Sequence, residues 1–544
     1  ATSNLTAKER SPQVAQAAIF GINSNLDTGG IIDNLVSLQR TPINLVEAKR
    51  ALEEAKLLTF QDLKGRLQTF KSVVNTLNTE AKFLSTQSNF SNNNSSDTNS
   101  VASLSTSSEA TSGTFSLTVN NLANETKLIS DGFSSTSGAV TQGTFTIVAG
   151  AASATITIDS TNDTADGLRL AINNSGINAQ ATFLNDGSDT NPVRLVLSGT
   201  QTGTDNAVSV SGSLVTFTET QAAQDASLVL DGVAITKSTN TVTDIITGTI
   251  ITLESAGSGT ITQSSDTDTI KGKIQAYVDG FNELMVHLDD LLSLNTDTGE
   301  TSVLFANFAV QNLQQKLRET ASQEILGVSG DFQYLSQIGV RTLSDGTLSI
   351  DDGDLTDAMA EDITNVSELF SSSGSTSSSA VTFIGFTTET ASGGYDIQVS
   401  GGVPQLATSG STTFVDATGS GNFYAGADGT DAEGLNFRVS SLTDGDYGTI
   451  TLTLGVAALT NRILANLTDS SLDGPLEAEI DTATETIADY DETIIDLEER
   501  LVLFEEDLRE KFTNLEVLLG RLNSQRDAFD QSIDGIRALF SGGG

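Results

Sequence analysis

The sequence predicts an α+β multidomain protein, with terminal helices paired as a coiled coil, a helical-bundle trunk, and antiparallel β modules inserted in that helical frame. Three observations carry this reading. Between Pro475 and Phe540 apolar residues recur about every 3.5 positions, as in a helix with one apolar seam that needs a partner. They fall at Ile480, Ala483, Ile487, Tyr490, Ile494, Leu497, Leu501, Phe504 and Leu508, then at Phe512, Leu515, Leu519, Leu522, Phe529, Ile533, Ile536 and Phe540. A second run with the same rhythm follows Thr41-Pro42, at Phe60, Leu63, Leu67, Phe70, Val74, Leu77, Ala81 and Leu84. From about residue 101 to 264, and again from 381 to 454, the period changes to two, as in strands with one solvated face.

The C-terminal helix opens at Pro475, because proline at a first helical position forfeits no hydrogen bond. At about 1.5 Å per residue it extends roughly 100 Å, too long for a compact globule. The four-four step from Phe504 through Leu508 to Phe512 reads as a stutter in the supercoil. Charge supports pairing with the N-terminal run. Residues 42–84 hold seven Lys/Arg and five Asp/Glu, whereas 476–540 hold six and eighteen. Opposite charges beside a seam favour heterotypic pairing.

In chain order, residues 1–19 form a polar tail expected to be mobile. Ile31 to Arg40 is amphipathic and leads into Pro42, and one continuous helix is expected from there to Leu84. Phe115, Leu117 and Val119 alternate with Ser and Thr, as do Ile156 and Ile158, then Val193, Leu195 and Leu197. Asp231-Gly232 marks a hairpin turn, and Leu168 to Ile172 a short helix. Helical periodicity returns over 269–292 and 305–320. A strand pair flanks Asp345-Gly346, and a short helix ends at Phe370. The stretch SSSGSTSSSA (371–380) reads as a flexible linker. Beyond it Tyr395, Ile397 and Val399, then Leu435, Phe437 and Val439, then Ile450, Leu452 and Leu454 alternate, and 457–467 resumes helix.

The expected division is therefore a tail over 1–19 and a coiled-coil leg from 20–50 and 490–544. The trunk comprises 51–100, 265–372 and 456–489. One β head comprises 101–135 and 226–264, a second spans 136–225, and an additional β domain spans 373–455.

Bulk properties exclude several functions. A net charge of −43 repels nucleic-acid phosphates. No run of eighteen apolar residues occurs, so no membrane span is expected. The first twenty residues lack a basic head before an apolar core, so no Sec signal is expected. With no cysteine, there is neither disulfide nor thiolate metal site. His287, the single histidine, has no nucleophile-elbow sequence to serve and reads as structural, and Asp289-Asp290 as a solvated helix end. Asp351–Asp354 and Asn295–Glu300 fall short of a twelve-residue calcium loop and read as turns. The glycines of 418–429 match no phosphate-cradling loop. No catalytic residue, cofactor or metal ligand is assigned.

Several segments are similar to flagellar filament capping proteins, the FliD or hook-associated protein 2 family. Gly21-Ile-Asn-Ser-Asn-Leu-Asp27, with Ile32, Leu35, Arg40 and Pro42, resembles the family's opening segment, although Asn23 and Asn25 stand where glycine is usual. Ser227–Ile235, Ile274–Leu284, Leu335–Asp351 and Leu497–Gln525 follow in family order, and Ile172–Ile177 leading to Arg194–Ser198 resembles a motif of flagellins and hook-associated proteins. Residues 373–455 do not fit the common pattern.

The resemblance implies a homo-oligomeric ring, usually a pentamer, at the distal filament tip. There it would promote folding and insertion of exported flagellin and prevent its loss. Implied partners are flagellin and hook-associated junction proteins, with a mucus or glycan ligand for the heads. Implied export is through the flagellar type III apparatus. Gly21, Leu26, Asp27, Leu35 and Pro42 would be the filament-contacting leg. Phe60, Leu63, Leu67, Phe70, Val74, Leu77, Leu497, Leu501, Phe504, Leu508, Phe512 and Leu515 would form the seam. The competing readings are an adhesin using its exposed heads and a hook–filament junction protein.

Overall fold

A computed structural model describes residues 27–93, 100–107, 109–212, 214–468 and 474–541. Nine helices lie among the described residues: α1 (Thr28–Gln39), α2 (Thr41–Val74), α3 (Glu80–Phe83), α4 (Ala165–Asn173), α5 (Thr267–Leu291), α6 (Phe308–Ser322), α7 (Asp352–Phe370), α8 (Val456–Thr468) and α9 (Pro475–Ser541). Every pairing between their intervening strands is antiparallel. The chain divides into two compact units, one built of Ala1–Lys71, Glu283–Leu317 and Ile463–Gly544, the other of Ser72–Asn282 and Arg318–Arg462.

The first unit is helical. Asp27 caps α1, its side chain accepting the Gly30 N–H at 2.9 Å, and satisfies one of the donors that a helix start leaves unpaired. Ile32 and Ile43 are fully buried, while Pro42 sits in the exposed first turn of α2. α9 is a single helix of 67 residues, as its proline-free heptads predict.

The second unit holds three β cores and a helical one. The sheet Thr86–Asn92, Gly257–Ser265, Gly113–Asn121, Ala226–Leu230, Val233–Lys237 encloses Leu117, Val119, Leu228, Ile251 and Ile261 with a second, three-stranded sheet. Its last hairpin turns at Asp231 (φ 47°) and Gly232 (φ 85°), the left-handed pair that a two-residue turn requires. The second β core packs α4 against Ile147, Ile156, Leu195 and Leu197. The third, around Tyr395, Ile397, Phe437, Ile450 and Leu452, is enclosed by a five-stranded and a four-stranded sheet.

The helical core is centred on three rings. Phe83 stacks on Phe370 at 5.7 Å, and Tyr277 meets Phe370 edge-on at 6.0 Å. The buried Tyr277 hydroxyl lies 3.0 Å from Thr460 Oγ1 of α8, and burial pushes its ionisation well above the usual range. Asn282 clamps α5 to the strand Leu348–Ile350: its Oδ1 accepts the Leu348 N–H at 2.7 Å and its Nδ2 donates to the Leu348 carbonyl at 2.8 Å.

Three expectations need correction. The helix expected to run to Leu84 stops at Val74, and residues 75–79 form a turn before α3. That turn resets the helical phase, so Phe83 is buried where Ala81 and Leu84 were expected, and Ala81 is exposed. The helix expected from residue 305 starts at Phe308. Ala306 adopts a left-handed conformation (φ 62°), and Asn307 caps the helix by accepting the Val310 N–H at 3.1 Å.

The Ser/Gly stretch after Phe370 is not a flexible coil. Ser372–Thr376 is an edge strand paired from Ser372↔Leu454 to Thr376↔Ile450. Its composition is that of a linker, but the backbone is held by the ladder, and Gly374 lies so close to the Phe383 ring that an added Cβ would come within 2.3 Å of it.

Candidate functional site: the terminal helix pair

Three ion pairs join the first helices to α9. Arg40 reaches Glu498 at 3.6 Å, Arg50 reaches Asp491 at 2.5 Å and Lys64 reaches Glu477 at 2.5 Å. As the number rises along α1 and α2 it falls along α9, so the pair is antiparallel. The hydrogen bond to Asp491 pushes the Arg50 guanidinium above its already high range. Exposed pairs of this kind set register more than stability, each contributing about 0–1 kcal/mol. Apolar burial on the same helices, at Ile32, Ile43, Phe60, Ala483 and Leu501, contributes more.

This register locates every residue of the expected seam. Phe60 lines a cleft with Glu479, Thr482 and Ala483 and so faces the first turns of α9. Leu63 is buried beside the Lys64–Glu477 pair, Leu67 and Phe70 are buried farther along α2, and Val74 and Leu77 are buried in the second unit. Leu497, Leu501, Phe504, Leu508 and Phe512 are buried or half-buried on the part of α9 where α1 packs, while Leu515 is exposed. The two halves of the expected seam therefore do not face one another. Charge asymmetry identified the two chain ends as partners but carried no register information.

Of the expected leg residues, Asp27 is the α1 cap, Leu35 is exposed on α1, and Pro42 opens α2. Gly21 and Leu26, with the expected tail 1–19, lie outside the described residues. Past Phe512, the apolar residues Leu515, Leu522, Phe529 and Ile536 follow one another at seven-residue steps and are all exposed. The acidic run 505–507 that precedes them is internally neutralised in part: Arg509 donates twice to Glu505 and Lys511 pairs with Asp507 at 2.7 Å, each one turn apart.

The residues weighed for chemistry have other partners. His287 Nε2 lies 3.3 Å from Asp62, and burial followed by the Arg66 charge lowers its proton affinity. Asp289 accepts from Gln314 at 2.5 Å. Asp351 caps α7 by accepting the N–H groups of Gly353 and Asp354, and Asn295 accepts those of Asp297 and Thr298 in its own turn. No group of three or more His, Asp or Glu among the described residues is placed to hold a metal, and no described helix is long and apolar enough to cross a membrane.

Among the described residues, paired terminal helices, a long acidic helix with an exposed apolar row, and inserted β modules define an α+β helical frame that carries β heads. Two family models match the chain: flagellar hook-associated protein 2 C-terminus over residues 223–524, and flagellar hook-associated protein 2 N-terminus over residues 24–126. Similar curated relatives include flagellar hook-associated protein 2 of Escherichia coli K12, 27% identical over 388 residues, covering 65% of this chain and 80% of that protein. The A-type flagellar hook-associated protein 2 of Pseudomonas aeruginosa is 28% identical over 400 residues, with the same coverage of 65% and 80%. A crystal structure of the D1-D2-D3 domains of the flagellar cap protein FliD from Escherichia coli is similar, with 27% identity and a TM-score of 0.48 over 57% of this chain and 89% of that one. The chain belongs to the flagellar hook-associated protein 2 family.

Proposed function

We propose that this chain is the cap of the flagellar filament, a closed homo-oligomeric ring at its distal tip. Under that plate exported flagellin folds and inserts instead of escaping. The observation that carries the reading is the antiparallel pairing of α1–α2 with α9, in a member of this family, with Leu515, Leu522, Phe529 and Ile536 of α9 exposed. Such a helix end suits gripping a helical protein lattice. The bulky β modules in mid-chain work against endless lengthwise stacking, and head-to-tail contacts terminate when their rotation closes. Five subunits is the number the reading adopts, with flagellin and the hook-associated junction proteins as neighbours and the flagellar type III apparatus as the export route. A mucus or glycan ligand would meet the module 373–455, where Ile384 and Phe423 are exposed.

Cells lacking the protein are expected to export flagellin but lose it to the medium as monomer, with short or absent filaments. Restoring the protein without residues 1–40 should leave that defect in place. Normal filaments in the deletion strain, with no flagellin in the medium, would refute the function.

A further inference from the structure

The module 373–455 holds eight Asp/Glu and a single cation, Arg438. That arginine stands on an inner strand of a four-stranded sheet, ordered Val381–Gly385, Asn436–Val439, Phe423–Ala425, Thr418–Ser420. Directly opposite residues of paired strands share a face. The pairs Thr382↔Arg438, Arg438↔Phe423 and Phe423↔Ser420 therefore set four side chains in one row across the sheet. All four are exposed, Phe423 by 60%, and Ile384, two residues along from Thr382, is exposed by 53%. The opposite face turns Phe383, Tyr424 and Phe437 into the core of the module. Arg438 makes no ion pair or side-chain hydrogen bond among the described residues.

The module is also braced. Its edge strand Ser372–Thr376 is laddered to Gly445–Leu454, and Thr453 Oγ1 donates to the Gly327 carbonyl at 2.5 Å. Arg462 of α8 donates to the Thr390 and Thr387 carbonyls at 3.0 and 3.2 Å. These contacts fix the direction of the exposed face relative to the helical core of the second unit. A contact repeated identically around a ring requires such a fixed direction.

Charge selects the occupant. With 70 Asp/Glu against 27 Lys/Arg, a second copy of the chain is rich in carboxylates. A guanidinium takes a carboxylate in two parallel hydrogen bonds, and arginine beside covered aromatic and aliphatic side chains is the composition of an interface core. Two copies of this face set against each other would oppose their arginines, so the contact is head-to-tail.

We infer that the sheet face centred on Arg438 and Phe423 is a joint between neighbouring copies, seated on a carboxylate-bearing surface of the next chain. This rests on the ring of the cap reading and assigns one of its contacts to a module outside the common family pattern. The joint and a mucus or glycan ligand exclude each other on this patch.

Arg438→Lys keeps the charge and offers carbodiimide an amine that it can join to a touching carboxylate. Rings mixed from isotopically labelled and unlabelled chains of that variant should yield a two-chain adduct, with residue 438 of one chain joined to an Asp or Glu peptide of the other. The double variant Phe423→Ser, Arg438→Glu, altered only at exposed positions, should keep the thermal transition of the module. Its rings should nevertheless need a concentration higher by about tenfold or more, as when central contacts of an interface are lost. Intact rings of Arg438→Lys with no such adduct, or rings of the double variant at the ordinary concentration, would overturn the inference and return the face to a mucus or glycan ligand, leaving the cap function standing. An unmodified chain that stays monomeric at every concentration would instead remove both the joint and the ring.

Discussion

Replacing Tyr277 by phenylalanine removes one oxygen from the most buried part of the helical core. Tyr277 and Thr460 are both fully buried, and their hydroxyls share a hydrogen bond of 3.0 Å. In Tyr277→Phe the Thr460 hydroxyl keeps its burial and loses that partner, which costs about 1–3 kcal/mol. Thr460→Val leaves the phenol in the same position, at a similar cost. When both are made together no polar atom is stranded, so the double variant should be less destabilised than the sum of the singles by about 1 kcal/mol or more. A chain with several cores does not unfold in two states. The assay is therefore hydrogen exchange read locally at the amides of α5 and α8, whose opening free energies should show the coupling. Strict additivity would mean that the two hydroxyls do not depend on each other, and the packing described for α5 and α8 would be wrong.

Gly374→Val drives a side chain into the Phe383 ring and should destabilise the module 373–455 by about 1–3 kcal/mol in thermal unfolding; an unchanged transition would detach that strand from the core. Replacing residues 377–449 by a two-residue Asn-Gly turn keeps the Thr376↔Ile450 pair at its base, so the mean helicity of α7 and α8 should survive in circular dichroism. His287 is held neutral by burial and the Arg66 charge, its folded-state pKa lying below the ordinary 6.5. The stability from this neutral form is present above the ordinary value and is lost as pH falls through the folded one. His287→Gln should flatten the stability profile of the first unit below about pH 6.5, and an unaltered slope in urea titrations would exclude His287 as its source.

The sequence was most legible where one period persisted. α9 and the hairpin at Asp231-Gly232 follow directly from heptad spacing and turn chemistry. It was least legible where tertiary contacts overrule composition. Ser372–Thr376 reads as a linker because nothing local reveals that the strand Gly445–Leu454 lies beside it. The break after Val74 was hidden because Asn75-Thr76 is a weak helix stop, and Leu77 stays buried in phase with the helix. Heptads also say which face of a helix is apolar, but not which part of a partner it meets. That depended on Arg40, Arg50 and Lys64 finding Glu498, Asp491 and Glu477.

The central claim, that this protein closes the growing end of the filament, is tested most directly by seeing where it sits. An epitope placed in the turn Gly401-Gly402, which has positive φ at both residues and open space around them, should not disturb the module. Electron microscopy of gold-labelled filaments from cells carrying that variant should show one cluster per filament, at the distal tip, with averaged end views giving a closed ring. Label spread along the filament, or confined to its junction with the hook, would contradict the account.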